Sequence, residues 1–177
     1  TVTVWTAGEP AEPYSIRGDL TIEPGATLII QEGAILKFGY SGAYGDWKKL
    51  IVDGKLIVRG SELNRVIFTP FEITYQTDYR FFPRNWNGIE VNNGGTVDID
   101  FANIQHATVG VTFFAGSGGS IKNSRIWENN FGIVNYGDGV NTNMNPLPII
   151  TDNTFINNWQ SSYSVSGYAD HLNAVVD

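Results

Sequence analysis

The chain has 177 residues, of which 42% are hydrophobic and 16% are charged, a balance that provides one domain with a core and excludes a disordered polyelectrolyte. The net charge of −7, without a cluster of Lys and Arg, argues against nucleic acid and anionic membranes as partners. The absence of cysteine excludes disulfides and thiolate metal sites, and no apolar run approaches the roughly 18 residues that span a bilayer.

Short segments with alternating apolar residues follow one another from residue 20 onward. Each is three or four residues long and is bounded by Gly, Pro or Asp, a pattern typical of β-strands separated by tight turns. The first six are Leu20–Ile22, Leu28–Ile30, Leu36–Phe38, Leu50–Val52, Leu56–Val58 and Val66–Phe68. The sequence therefore predicts an all-β chain.

The second half of the chain repeats with a period of 22 residues. Gly88, Gly110 and Gly132 each open a unit, and the apolar residues that follow keep the same spacing until one unit of 29 residues. A fixed period of about 20 to 30 residues indicates a stacked solenoid, and three strands per period fit one coil of a parallel β-helix. An antiparallel β-sandwich is the alternative, but its strands do not keep such an in-phase repeat.

We therefore predict about five to six coils of three short strands. The coils cover 20–38, 50–68, 88–106, 110–128 and 132–156, with a partial sixth after Ser161. Three columns of stacked core residues are expected: Ile89, Val111 and Ile133; Ile99, Ile121 and Ile150; and Ile104, Ile126 and Phe155.

Three insertions, at 39–49, 70–86 and 137–148, interrupt the coils. The first two follow the third strand of successive coils, so they should leave the same corner of the solenoid, and the third leaves a different corner. The first two are rich in aromatic residues, which favours a platform on which sugar rings stack. The predicted ligand-binding residues are Tyr40, Tyr44, Trp47, Tyr75, Tyr79, Phe81, Phe82, Arg84 and Trp86. The alternative is a small satellite core that holds the loops against the solenoid.

Four segments carry a family resemblance: Tyr14–Phe38, Leu50–Ser61, Val66–Pro70 and Trp86–Ile89. They resemble secreted bacterial and archaeal right-handed parallel β-helix surface proteins, the pectate-lyase-like solenoids, over about residues 14–160. The resemblance implies a right-handed, single-stranded parallel β-helix and an extracellular or cell-surface location, and we predict that residues 1–177 form a single β-helix domain. It also implies one module of a larger protein. That group includes adhesins, surface-layer parts, sugar-binding modules and polysaccharide-cleaving enzymes, so the resemblance leaves the function open.

Carboxylates on the outward faces raise the question of catalysis, because glycoside hydrolysis needs paired acids. Asp100 should stack beside Lys122 and His106 beside Glu128, which favours ordinary charge pairs between coils. The nearest candidates for a catalytic group are Lys49, Asp53, Glu90 and Arg84. The sequence favours a protein that is not an enzyme.

Metal sites have little support in the sequence. The two histidines, His106 and His171, lack the spacing of zinc ligands. The third insertion offers oxygen ligands for Ca²⁺ in Asp138, Asn141 and Asn143 without the spacing of a calcium loop, so a turn stabilised by side-chain amides is favoured. We expect no cofactor, and Ca²⁺ is the metal ion that these oxygen ligands could bind.

Side-chain ladders are a further expectation. Asn123 and Asp152 occupy equivalent positions on successive coils, and Phe101 occupies that position on the coil before. The sequence therefore predicts a short ladder of hydrogen-bonded side chains there.

Three functions follow from these patterns. The first is a non-catalytic carbohydrate-binding or adhesive module whose partner is a polysaccharide or cell-surface glycan. The second is a lyase or glycoside hydrolase that acts on an acidic polysaccharide. The third is a structural spacer.

Overall fold

The computed structural model describes residues 1–8, 12–39, 47–71, 86–136 and 148–159, together with the backbone of 161–166. The described residues form eighteen strands arranged in six coils, with three strands in each coil. The first three coils contain β1 (Val2–Trp5), β2 (Tyr14–Ile16), β3 (Leu20–Ile22), β4 (Thr27–Gln31), β5 (Ile35–Phe38), β6 (Lys49–Val52), β7 (Lys55–Arg59), β8 (Val66–Pro70) and β9 (Gly88–Val91). The last three contain β10 (Thr96–Asp100), β11 (Ala102–Gln105), β12 (Val109–Phe113), β13 (Gly118–Lys122), β14 (Arg125–Trp127), β15 (Phe131–Tyr136), β16 (Ile149–Thr151), β17 (Thr154–Ile156) and β18 (Ser161–Ser166).

Every third strand belongs to the same sheet, and all pairings are parallel. Sheet A runs β1-β4-β7-β10-β13-β16, sheet B runs β2-β5-β8-β11-β14-β17, and sheet C runs β3-β6-β9-β12-β15-β18. Each strand therefore hydrogen-bonds to the equivalent strands of the coils before and after it, at the usual spacing of about 4.8 Å. The prediction of a parallel β-helix is confirmed. No helix in the described part of the chain has the length and apolar character needed to cross a bilayer.

The three predicted core columns are present in the predicted register. Val111 pairs with Ile89 and Ile133, Ile121 with Ile99 and Ile150, and Ile126 with Ile104 and Phe155. All of these side chains are buried, because alternation along each short strand points them into the solenoid. The 22-residue repeat thus fixes which residues form the core.

Two strands precede the first predicted coil. The first, β1, pairs with β4 so that Val4 lies beside Ile29, and β2 pairs with β5. Neither strand was predicted from the sequence, and β1 makes the first strand of sheet A.

The glycines that open the repeat lie where successive coils approach each other closely. Gly88 has a φ of 99°, and a Cβ there would lie 1.6 Å from the carbonyl oxygen of Val109. A Cβ on Gly110 would lie 2.5 Å from the carbonyl oxygen of Gly132. Glycine recurs because a side chain would collide with the main chain of the next coil.

Side-chain ladders run along two corners of the solenoid, and the first lies one residue after the position predicted for it. Phe101, Asn123 and Asp152 all have a positive φ near 50°, and the Asn123 amide bonds to Asp100 instead of forming a ladder with Asp152. The next residue in each coil takes the ladder position: the Ala102 N–H donates to Ser124 Oγ, and the Ser124 N–H donates to Asn153 Oδ1. The prediction of a short ladder at Asn123 and Asp152 is therefore corrected by one residue.

A second ladder occupies the corner between sheets B and C. The Ala107 N–H donates to Asn129 Oδ1 at 2.9 Å, and the Asn129 N–H donates to Asn158 Oδ1 at 3.1 Å. The amide nitrogen of Asn129 donates in turn to the carbonyl of Ile104. These bonds satisfy backbone groups that the corner takes out of the sheet pairing.

Candidate functional site

Sheet C is the sheet that the three long connections border. Residues 39–48 join β5 to β6 and residues 71–87 join β8 to β9, so both enter sheet C from the same corner on adjacent coils, as predicted. Residues 137–148 join β15 to β16 and leave sheet C at its opposite edge. The inside of the solenoid is filled by side chains, so a binding site must lie on an outer face or in the loops. The outer face of sheet C, which all three long connections border, is therefore the candidate site.

A single row of side chains follows the outer edge of sheet C, one residue beyond a buried column. The buried column is Ile22, Val52, Val91, Phe113 and Asn135, which pair in register. Alternation points the following residue of each coil outward. These residues, here called the outer row, are Glu23, Asp53, Asn92, Phe114 and Tyr136.

One end of the outer row is aromatic. The rings of Phe114 and Tyr136 are stacked with their centroids 5.7 Å apart and their planes 18° apart. Phe114 is 37% exposed and Tyr136 is 45% exposed. Stacking holds both rings in a fixed orientation while leaving apolar surface open to a ligand.

The other end of the outer row is polar. The Asn92 amide donates to Asp53 Oδ1 at 2.7 Å, and Glu23 is exposed on the coil before. The hydrogen bond orders the Asp53 carboxylate and leaves its second oxygen as an acceptor. This end is therefore rich in hydrogen-bond acceptors.

Lys49 and Glu90 form an ion pair on the same face. Lys49 Nζ lies 2.8 Å from Glu90 Oε2, and both side chains are about a quarter exposed. The contact is a cross-coil pair of the kind that contributes at most about 1 kcal/mol. It differs from the two facing carboxylates of glycoside hydrolysis, since the Glu90 carboxylate is bound to an ammonium group.

The middle of this face is shielded from solvent. Thr112 and Val134 follow Glu90 in the same outward column, yet they are only 5% and 4% exposed. The outer row is therefore the more accessible part of the face.

Among the predicted ligand-binding residues, the structure describes Trp47 and Trp86. Trp86 is fully buried, its ring stacks on Phe38 with centroids 4.4 Å apart, and its Nε1 donates to the carbonyl of Gln105. The structure thus places Trp86 in the core, where its ring is not accessible to a sugar. Trp47 is half-buried beside the same corner, and its carbonyl accepts a hydrogen bond from Asn87.

The other predicted site residues lie outside the described part of the chain. They are the loop residues Tyr40, Tyr44, Tyr75, Tyr79, Phe81, Phe82 and Arg84, and the residues considered for Ca²⁺, Asp138, Asn141 and Asn143. Of the four residues considered for catalysis, the structure brings Lys49 and Glu90 together and places Asp53 in the outer row.

Phe114 and Tyr136 were not among the binding residues predicted from the sequence. The signal was present, because Asn92, Phe114 and Tyr136 are separated by exact intervals of 22 residues. The prediction favoured the aromatic residues of the insertions at 39–49 and 70–86 instead.

The charged pairs elsewhere on the solenoid have structural explanations. Arg59 binds the Asp98 carboxylate on sheet A, and this hydrogen bond lowers the pKa of Asp98. His106 lies 3.4 Å from Glu128, and burial lowers the pKa of His106. In the described segments, no group of three or more His, Asp or Glu side chains is placed to hold a metal ion.

Comparison with known proteins identifies one family. The protein-family model described as "Right handed beta helix region" matches residues 57–175, which is more than half of the chain. No curated protein and no solved structure matches the chain significantly.

Proposed function

Because the chain belongs to the right-handed β-helix family, whose filled interior leaves only the outer faces and loops for function, we propose that it is a carbohydrate-binding module. The proposed module is not catalytic and belongs to an extracellular or cell-surface protein. The observation that supports this proposal best is the outer row, in which stacked, exposed aromatic rings adjoin ordered hydrogen-bond acceptors.

The two ends of the outer row suit the two faces of a sugar. The C–H face of a pyranose ring packs against aromatic rings such as Phe114 and Tyr136, and its hydroxyls donate to carboxylate and amide oxygens such as those of Asp53 and Asn92. All four residues lie on paired strands or directly after them, so their side chains should lose little conformational entropy when a ligand binds.

Affinity electrophoresis through polysaccharide gels, with a glycan array as a survey, tests the proposal. The double variant Phe114→Ala and Tyr136→Ala should lose most of the retardation that a binding glycan causes. Leu63→Ala is the matched control, because Leu63 is 92% exposed in a turn between β7 and β8, away from sheet C. Binding that is equal in the double variant and the control would contradict the assignment of the outer row.

The two alternatives give different outcomes in the same experiments. A spacer would bind no glycan on the array, with or without the substitutions. A lyase or hydrolase would release unsaturated or reducing ends from an acidic polysaccharide, and Glu90→Gln should then abolish that release. The triple variant Tyr44→Ala, Trp47→Ala and Tyr79→Ala separates a contribution of the two aromatic loops from that of the outer row.

A further inference from the structure

We infer that the outer row takes a neutral, linear polysaccharide whose chain runs parallel to the solenoid axis. This inference rests on the proposed function and names its ligand class. It is carried by three properties of the described residues: the charge of the outer row, its hydrogen-bonding capacity and its direction.

The charge of the outer row disfavours an acidic glycan. The carboxylates of Glu23 and Asp53 are the only acidic or basic side chains in the outer row apart from the Tyr136 phenol. Lys49 is the only cation among the described outward-facing residues of sheet C, and its ammonium is bound to Glu90 at 2.8 Å. Among the residues that the structure describes on this face, a uronate or sulfate group would meet carboxylates without an available counter-charge, and the net charge of −7 adds to the repulsion.

The hydrogen-bonding capacity favours hydroxyl donors. Asn92 already uses an N–H on Asp53 Oδ1, and an ionised carboxylate is an acceptor only. The polar end of the row therefore offers mainly oxygen lone pairs, to which sugar hydroxyls donate and which a ligand carboxylate cannot use. A bond from a hydroxyl to an ionised acceptor is stronger than one between neutral groups.

The direction of the row selects a linear chain. Its five residues lie on successive coils about 4.8 Å apart, so the row spans roughly 19 Å along the solenoid axis. That length exceeds a monosaccharide and suits a short stretch of a polysaccharide. Successive rings of the ligand would lie over the Phe114–Tyr136 pair at one end and over Asp53 and Asn92 at the other.

The test compares neutral linear polysaccharides, such as a β-glucan, a xylan and a mannan, with polygalacturonate and alginate, at low and high salt. Binding to a neutral chain should be insensitive to salt and should strengthen with the length of the oligosaccharide. Asp53→Asn keeps the size of the side chain but removes the ionised acceptor, so it should weaken binding to the neutral chain by about tenfold. Asn93→Ala, in the adjacent turn, should leave binding unchanged.

The outcomes separate this inference from the proposed function. Binding only to the acidic polysaccharides, weakening as salt is added, would overturn the neutral ligand while leaving carbohydrate binding intact. Equal affinity for a single sugar unit and for longer oligosaccharides would contradict a ligand chain that runs along the solenoid axis. Binding to none of the glycans would overturn the proposed function itself.

Discussion

Replacing Asn129 with alanine tests whether the corner ladder holds successive coils together. Asn129 is 0% exposed, its Oδ1 accepts from the Ala107 N–H at 2.9 Å, and its amide donates to the carbonyl of Ile104 at 3.1 Å. Alanine would leave both backbone groups buried without these partners. At roughly 1 to 3 kcal/mol for each buried group that loses its hydrogen bond, the expected loss of unfolding free energy is about 3 kcal/mol.

Thermal and urea denaturation followed by circular dichroism measure this loss. In a chain of this size, 3 kcal/mol corresponds to a fall in Tm of about 6 to 12 °C. Asn129→Ser should be less destabilising, because Ser124 in the other ladder both accepts from a backbone N–H and donates to the carbonyl of Lys122. Asn93→Ala, at an exposed turn, is the control and should stay within about 0.5 kcal/mol of the wild type. An Asn129→Ala protein as stable as that control would refute the role of the ladder.

Three further outcomes follow from single residues. Gly88→Ala should prevent stable folding, because its Cβ would meet a backbone carbonyl of the next coil at 1.6 Å, whereas Gly94→Ala, also at positive φ but in open space, should cost only about 1 to 2 kcal/mol in denaturation experiments. The hydrogen bond from Arg59 lowers the pKa of Asp98, so it stabilises the folded protein at neutral pH, and this stability is lost as pH falls below about 4. Because both side chains are partly exposed, Asp98→Asn should reduce the stability lost in acid by less than about 1 kcal/mol. Burial lowers the pKa of His106, so melting temperatures should fall as pH drops below about 6.5, and His106→Asn should lessen that fall; equal pH dependence in the variant and the wild type would contradict this.

The repeat in the sequence predicted the second half of the solenoid residue by residue. Ile99, Ile121 and Ile150 could be aligned because each must fill the same position in a stacked core, so their spacing records the length of a coil. The strand β1 was missed although Val2–Trp5 alternates in polarity, because the 25 residues between Val4 and Ile29 depart from the period set by later coils.

The ladder positions could not be predicted to the residue because they depend on backbone dihedral angles. A residue with positive φ turns its side chain out of the corner, as Asn123 does when its amide bonds to Asp100. The following residue then faces inward, where Ser124 and Asn153 meet. The 22-residue period aligns equivalent positions between coils, but it does not tell which of two neighbouring residues points inside.

Trp86 shows why an aromatic residue near a loop is ambiguous in the sequence. Its burial comes from stacking on Phe38, which lies 48 positions earlier, and from the bond of its Nε1 to Gln105. Both contacts are made between coils and leave no local pattern in the sequence. The residue therefore contributes to the core at the corner where the aromatic loops begin.

The contrast between the buried column and the outer row explains how one solenoid can keep its fold and vary its surface. The inward column holds Ile22, Val52, Val91 and Phe113, because each coil must fill the same interior. One residue later the chain faces solvent, and the contacts between coils are the Asn92–Asp53 hydrogen bond and the Phe114–Tyr136 stack instead of a filled core. The outer row can therefore change from carboxylates to an amide to aromatic rings along the axis. Because these side chains contribute little to the core, their substitution should change the outer face without unfolding the coils beneath them.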